Sequence, residues 1–353
     1  MQIGDEVTIE PTELVAGGEA LARIDGFPIF TANVYPGDVA RVRLVEVKKG
    51  FARAELVRVE LASPLRRAAL CPVAEECGGC DWTALRLDAQ LSAKQRILTE
   101  SLRRIGKFDV STLPPIAMHP SPLNYRLRSR LHFEDGVLGF YAMRSNRVVP
   151  LPPECEVVGV ETAKHPIPGE TWEIDGHVFI SEFSLLGYTL STDAFFQVNR
   201  HLLETMLRRV SEIAGEGKLA IDLYAGIGFF TRPLTKLFGR VIAVEGSPVA
   251  HSYAQRNSSA ECINAPVEQW VSRMPRADLV FLDPPRAGAR REVIDAISRR
   301  ARRICYLSCD PVTFARDANR LIAAGWRLAS LDLLDLFPNT HHVETLSSFE
   351  RAA

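Results

Sequence analysis

The sequence lacks the features of a membrane or secreted protein. No run approaches the ~18 consecutive apolar residues that a bilayer-spanning helix needs, so no membrane association is expected. The N-terminal MQIGDEVTIE is polar and has no apolar core of a secretory signal, and a cytoplasmic protein is expected. Net charge is nearly absent: 42 Lys and Arg against 43 Asp and Glu leave −1 at pH 7. Any nucleic-acid footprint must therefore be local. Cysteine is sparse and odd in number, seven in 353 residues. Reduced thiols, metal ligands or a catalytic thiol fit that usage better than a disulfide framework. There is no internal repeat and no low-complexity segment. A monomer is expected.

What is present divides into three stretches, 1–60, 61–192 and 193–353. In the first, five short runs (VTIE, EALARI, FPIFTA, VARVRLVEV, FARAELVRV) are punctuated by Gly17-Gly18, Asp25-Gly26, Pro36-Gly37 and Lys49-Gly50. They predict a small β-barrel. The second opens with a linker, Leu61 to Leu70, and a cysteine group, Cys71 to Cys80. Residues 91–106 follow as an amphipathic helix with Leu91, Ile97, Leu98, Leu102 and Ile105 on its apolar side and Gly106 at its end. Residues 124–195 are strand-like and rich in turns, so the middle stretch reads as a small α+β domain. Between 121 and 150 five arginines face only Glu134 and Asp135. A solvated strand face and an RNA contact explain that excess equally well.

From residue 198 helices and strands alternate. The strands LAIDLY, VIAVEG, ADLVFLDP and RICYLSC are near-continuous apolar runs, and helical patterns separate them. Such strands belong to a parallel sheet covered on both faces, a doubly wound α/β domain with its ligand at the C-terminal strand ends. LAIDLY runs into Asp222-Leu-Tyr224-Ala-Gly226-Ile-Gly228, and the next strand ends in Glu245. Glycines admit a ligand close to the backbone, and the acidic residue suits two ribose hydroxyls. A dinucleotide site would have a third glycine where Thr231 stands. Its absence favours S-adenosylmethionine, an adenosyl ligand without phosphates.

FLDPPRAG puts Asp283 just past one strand, and YLSCDP puts Cys309 just past the next. Both loops open on the cofactor's edge of the sheet. A helix begins after Asp310-Pro311, and a cysteine near a helix N-terminus is expected to favour the thiolate. Cys305 and Cys262 read as small buried residues. A thiolate has a specific use beside a methyl donor. Uracil C5 is a poor nucleophile until a thiolate adds to C6, and a base must later remove the C5 proton. Glu344 in HHVETLSSFER is available as that base.

Together FFQVN (195–199), DLYAGIGFFTRPL (222–234), VIAVEGS (241–247), FLDPPRAG (281–288), YLSCDPVTFARD (306–317) and HVETLSSFER (342–351) resemble the RNA 5-methyluridine methyltransferase family. The front, GGEALARIDGFPIFTANVYPGDVARVRL, looks like a TRAM domain, an OB-like RNA-binding barrel. The resemblance implies a Rossmann-like class I S-adenosylmethionine-dependent methyltransferase domain at the C-terminus. It implies Cys309 as nucleophile, Glu344 as base, and Gln197, Tyr224, Gly226, Glu245 and Asp283 around the cofactor. The target base would be flipped out, with the barrel and the arginines at 126–130 holding RNA. Ala225 and Phe229 depart from the family's D-L-x-C-G-x-G-N.

Cys71-x5-Cys77-Gly-Gly-Cys80 offers three thiols, and Cys155 is the available fourth. Spacing leaves zinc and an iron–sulfur cluster open. The resemblance implies a [4Fe-4S] cluster, which in turn leans toward ribosomal rather than transfer RNA. Thr83 and Ala84 replace the Gln-His that often follows this motif in relatives. Two rival readings stand: a cytosine-C5 RNA methyltransferase, and a non-catalytic iron–sulfur RNA-binding protein.

Overall fold

The structure, a computed structural model, describes residues 1–158, 172–174, 177–178, 182–191 and 193–352. Part of the strand-like stretch expected over 124–195 lies outside the described residues.

The front of the chain forms one six-stranded sheet. Its strands are Glu6–Ile9 (β1), Glu13–Leu14 (β2), Ala20–Ile24 (β3), Phe27–Thr31 (β4), Val39–Val47 (β5) and Ala52–Leu61 (β6), in the order β1-β5-β6-β4-β3-β2. Period-two alternation along β5 buries Ala40, Val42 and Leu44 while Arg43 points outward. Three register shifts between β5 and β6 bend the pair around that core. Asp25 and Gly26, with φ of 51° and 81°, close the β3–β4 hairpin as a two-residue turn requires.

Helix α1 spans Leu87–Arg104, and strand β7 spans Ile116–His119. The helix starts four residues ahead of the expected Leu91. Its buried Ile97, Leu98 and Leu102 share one core with Phe314 and Leu321 of the C-terminal part. Small sheets follow, from Ser129–Arg130 (β8), His132–Glu134 (β9), Val137–Tyr141 (β10) and Val148–Pro150 (β11), then Trp172–Ile174 (β12), His177–Val178 (β13), Glu182–Leu185 (β14) and Tyr188–Ser191 (β15).

The remainder is a doubly wound unit. Its helices are Leu203–Ala214 (α2), Thr231–Leu237 (α3), Pro248–Asn257 (α4), Val267–Trp270 (α5), Arg291–Arg300 (α6) and Pro311–Ala323 (α7). Its strands are Gly217–Leu223 (β16), Phe238–Glu245 (β17), Glu261–Asn264 (β18), Ala277–Leu282 (β19), Ala301–Ser308 (β20), Trp326–Leu334 (β21) and Glu344–Arg351 (β22). Their order is β18-β17-β16-β19-β20-β22-β21-β7, parallel except for β22. The apolar strands are buried on both faces, as their unbroken hydrophobic runs require. The sheet also takes in β7, whose Ile116 pairs with Leu331 well before residue 193. A four-residue strand flanked by prolines has too little periodicity to be read in advance.

Candidate active site

The ends of β16, β17, β19, β20 and the start of β22 open on one cavity of about 550 Å³. Gln197, Tyr224, Gly226, Glu245, Asp283, Cys309 and Glu344 all line it, so every catalytic and cofactor residue expected from the sequence meets the others there. The turn after β16 needs left-handed backbone: Tyr224, Gly226 and Gly228 have φ of 61°, 55° and 84°. A Cβ at Gly228 would stand 3.2 Å from the Ala254 Cα, so the glycine lets α4 close on the loop. The Gly226 amide donates to Glu245 at 2.8 Å and the Ser247 amide donates to its other oxygen at 2.7 Å. Glu245 is thereby fixed by the very loops that frame the ligand. Tyr224 lines the cavity, but its hydroxyl donates to Glu268 at 2.9 Å. Burial and that carboxylate both raise its pKa.

Carboxyl groups crowd the floor. Asp222 is 1% exposed and accepts from the Thr231 hydroxyl at 2.5 Å, while its other oxygen has no partner among the described residues. Burial pushes it up to about 7, with Glu245 adding to the shift and Thr231 opposing it. Burial likewise pushes Asp283 up to about 8, and Asp222 adds to it. Gln197 lies 3.5 Å from Asp283. Glu344, 5% exposed, is raised well above the usual carboxylate range by burial and then by Asp283.

The expected thiolate preference of Cys309 is corrected. Asp310 is the N-cap of α7 and accepts from the Val312 and Thr313 amides at 3.0 and 2.8 Å. Those amides, which would have stabilised a sulfur anion, already serve a carboxylate. Burial pushes the Cys309 thiol up to about 12, Glu344 and Asp283 push it the same way, and Arg286 opposes them. Cys305 is buried as expected, whereas Cys262 is half-buried beside the Ala260 carbonyl.

A second pocket holds the other thiols. Cys71, Cys77, Cys80 and Cys155 line one space walled by Phe140, Leu151 and Val157. Burial raises the Cys71, Cys77 and Cys80 thiols, and the nearby Arg126 lowers the latter two. Among the described residues no three His, Cys, Asp or Glu side chains converge on a single ion position. Arg126 donates to the Gly79 carbonyl at 3.1 Å and lies over the Phe140 ring, with its Nε unpartnered among the described residues. Arg128 donates to the Ala194 carbonyl at 2.7 Å. Both guanidinium groups thus serve backbone carbonyls, a use the charge count gave no sign of.

Lining residues beyond the expected set include Phe195, Phe229 and His342. Phe195 is 65% exposed at the cavity, an exposure that strand patterning cannot forecast. Phe229 packs among Phe196, Phe230 and Tyr188 and forms part of the wall. His342 stands two residues before Glu344, edge-on to Phe337, and burial lowers it to about 4. The HVET segment was the available clue to it.

A parallel sheet completed by an antiparallel strand, with a glycine turn after its central strand and an acidic end to the next, defines an S-adenosylmethionine-dependent methyltransferase. The profile of the family described as tRNA (Uracil-5-)-methyltransferase matches residues 170–267 and 271–351, and that of the TRAM domain matches 2–57. The chain belongs to this uracil-5 methyltransferase family and carries a TRAM domain at its front. It is 32% identical to a protein described as an uncharacterized RNA methyltransferase of Corynebacterium efficiens, over 99% of this chain and 95% of that one. It is 28% identical to a 23S rRNA (uracil(1939)-C(5))-methyltransferase of a Shewanella species, over 95% and 93%. The crystal structure of Pyrococcus abyssi tRNA (uracil-54, C5)-methyltransferase with S-adenosyl-L-homocysteine superposes with a TM-score of 0.74 at 23% identity, covering 97% of this chain and 99% of that one.

Proposed function

We propose that this enzyme makes 5-methyluridine in 23S ribosomal RNA, with Cys309 as nucleophile and Glu344 as base. The observation that carries the reading is the single cavity in which both meet the cofactor residues. S-adenosylmethionine, when bound, supplies an electrophilic methyl group and a positive charge. Asp222 suits the cofactor's ammonium group, since it has a buried oxygen without a partner. Glu245 retains lone pairs for ribose hydroxyls, and Gly226, Gln197, Asp283 and the Tyr224 backbone complete the cradle.

In the resting pocket burial disfavours ionisation of Cys309, Asp283 and Glu344; Glu344 and Asp283 add to it at Cys309, Asp283 adds to it at Glu344, and Asp222 adds to it at Asp283. Positive charge entering it favours loss of the Cys309 proton to solvent and the ionised form of Glu344. The sulfur then adds to uracil C6, the C5–C6 double bond opens, and the electron pair reaches O4 as an enolate. C5 takes the methyl group as the methyl's bond to the sulfonium sulfur breaks, leaving the electron pair on a neutral thioether. Glu344 removes the C5 proton, the C6–S bond breaks, and the double bond re-forms. Burial makes Glu344 a stronger base than an exposed carboxylate. Phe195 offers an exposed ring to a flipped base at the mouth.

By the family resemblance the four-thiol pocket is read as the seat of a [4Fe-4S] cluster held by Cys71, Cys77, Cys80 and Cys155, and their lining of one space supports that reading. The cluster would be structural, since methyl transfer needs no electron. The chain is read as a TRAM barrel over 1–60, an iron–sulfur and RNA-binding part over 61–192, and a catalytic part over 193–353. Ribosomal RNA is favoured over tRNA by the named 23S relatives, which match nearly the full length. A cytoplasmic monomer accords with such a substrate.

The test supplies labelled S-adenosylmethionine with unmethylated 23S rRNA and, separately, unmethylated tRNA, and identifies the nucleoside by mass spectrometry. Label in 5-methyluridine of 23S rRNA alone is expected, and Cys309→Ala should lower it by at least roughly a thousandfold. Label in tRNA alone would overturn the substrate. No label in either pool would favour a non-catalytic RNA-binding protein.

A further inference from the structure

The connection from β21 to β22 carries Phe337 and His342 into the active-site wall. Strand pairing ends at Leu334–Glu344, so everything between those residues must be held by other means. Asn339 sits at the centre of this connection, fully buried, with φ of 65°. Its backbone amide donates to the Gln90 side chain at 2.7 Å, and its carbonyl accepts from the Asp81 and Trp82 amides at 3.0 and 2.9 Å. Its side-chain oxygen accepts from Gln90 and from Arg67, each at 3.0 Å. Its side-chain nitrogen donates to Glu156 at 3.2 Å, and Arg67 grips the same carboxylate at 2.7 and 2.9 Å. None of these partners lies in the segments that carry the catalytic motifs. Farther along α1 the buried Lys94 ammonium donates to Asp335 at 2.6 Å and to the Phe337 carbonyl at 2.9 Å.

We infer that Asn339, clamped by Gln90 and Arg67 and backed by Lys94, is a positioning residue for removal of the C5 proton. The inference rests on the proposed reaction. Cys309 hangs on the β20–α7 junction, and the cofactor cradle on the ends of β16, β17 and β19 and on the stretch before α2; among the described residues none of these site side chains is hydrogen-bonded to Asn339, Gln90, Arg67 or Lys94. The clamp holds the stretch of wall, Phe337 to His342, that leads directly into Glu344. Its loss should therefore spare addition and methyl transfer and slow elimination, so that a covalent enzyme–RNA adduct accumulates. A general loss of packing would give no adduct.

Asn339→Gly is the incisive variant, because glycine accepts the left-handed backbone while all three side-chain contacts disappear. Gln90→Met removes the helix side of the clamp without touching the connection. With full-length protein and a 23S rRNA transcript that the parent methylates, each variant should lose about tenfold to a hundredfold in kcat. KM for S-adenosylmethionine should stay within about twofold, and RNA-linked protein on denaturing gels should rise several-fold. Parent-like kcat in both variants overturns the inference. So does a parallel loss of kcat, cofactor affinity and melting temperature without adduct. A parent that forms neither 5-methyluridine nor adduct refutes the catalytic reading itself, and the inference with it.

Discussion

The molecule keeps thiols in two pockets whose other neighbours differ, carboxyls in one and apolar walls in the other. Cys309 shares its cavity with carboxyls: Glu344, Asp283 and the capping Asp310 all disfavour the sulfur anion, against one exposed arginine. The four thiols of the other pocket meet apolar walls; burial raises Cys77 and Cys80, and Arg126 opposes it only in part. Burial thus raises the same side chain in both places, an arginine opposes it in both, and carboxyls reinforce the rise most strongly at Cys309. Residue type says what a thiol is able to do. Surroundings say when it does it.

The contrast can be broken at either pocket. Cys309→Ala should have the largest effect, abolishing turnover while leaving the other pocket intact. Next, Glu344→Gln should slow product formation by roughly a hundredfold or more while trapping RNA on Cys309, seen as a complex resistant to denaturing electrophoresis. If no complex forms, Glu344 does not act after the sulfur adds. Cys80→Ser should do the reverse. It is expected to strip iron and sulfide from anaerobically purified protein and lower the melting temperature by roughly 5 °C or more, with cofactor affinity retained. Equal iron content in Cys80→Ser and parent would refute the cluster.

The smallest effect concerns pH. Asp222 titrates near 7 in the folded protein against an ordinary value of 3.8. Between those values the folded chain keeps a proton that the unfolded chain has lost. Its contribution is therefore complete below about pH 4 and disappears as pH rises through about 7, with a slope of at most ~1.4 kcal/mol per pH unit. Asp222→Asn should flatten the fall in cofactor-free stability over that window, measured by urea unfolding at several pH values. An unchanged slope would place the titration elsewhere.

Much of the catalytic half was legible because its determinants are local. Apolar runs of strand length, glycines at left-handed turns and a proline at the first position of a helix act within a few residues. The barrel was legible for the same reason, through alternation and an Asp-Gly turn. The short β7 was not, since its place at the sheet edge comes from pairing with a strand more than two hundred residues later in the chain. The inward turn of Arg126 and Arg128 was equally hidden, because charge patterning gives no account of which carbonyls lie unsatisfied nearby.

By itself the sequence determined the kinds of unit, their order, and the set of side chains able to perform a thiol-assisted methylation. It did so because backbone preference and reactive chemistry are properties of single residues and near neighbours. Only the tertiary structure decided that the helix N-terminus is already capped and Cys309 rests protonated, that four thiols enclose one space, and that Asn339 is gripped by four distant stretches of chain. Those outcomes depend on burial and on charges brought together across the fold, and neither is written in any short stretch of sequence.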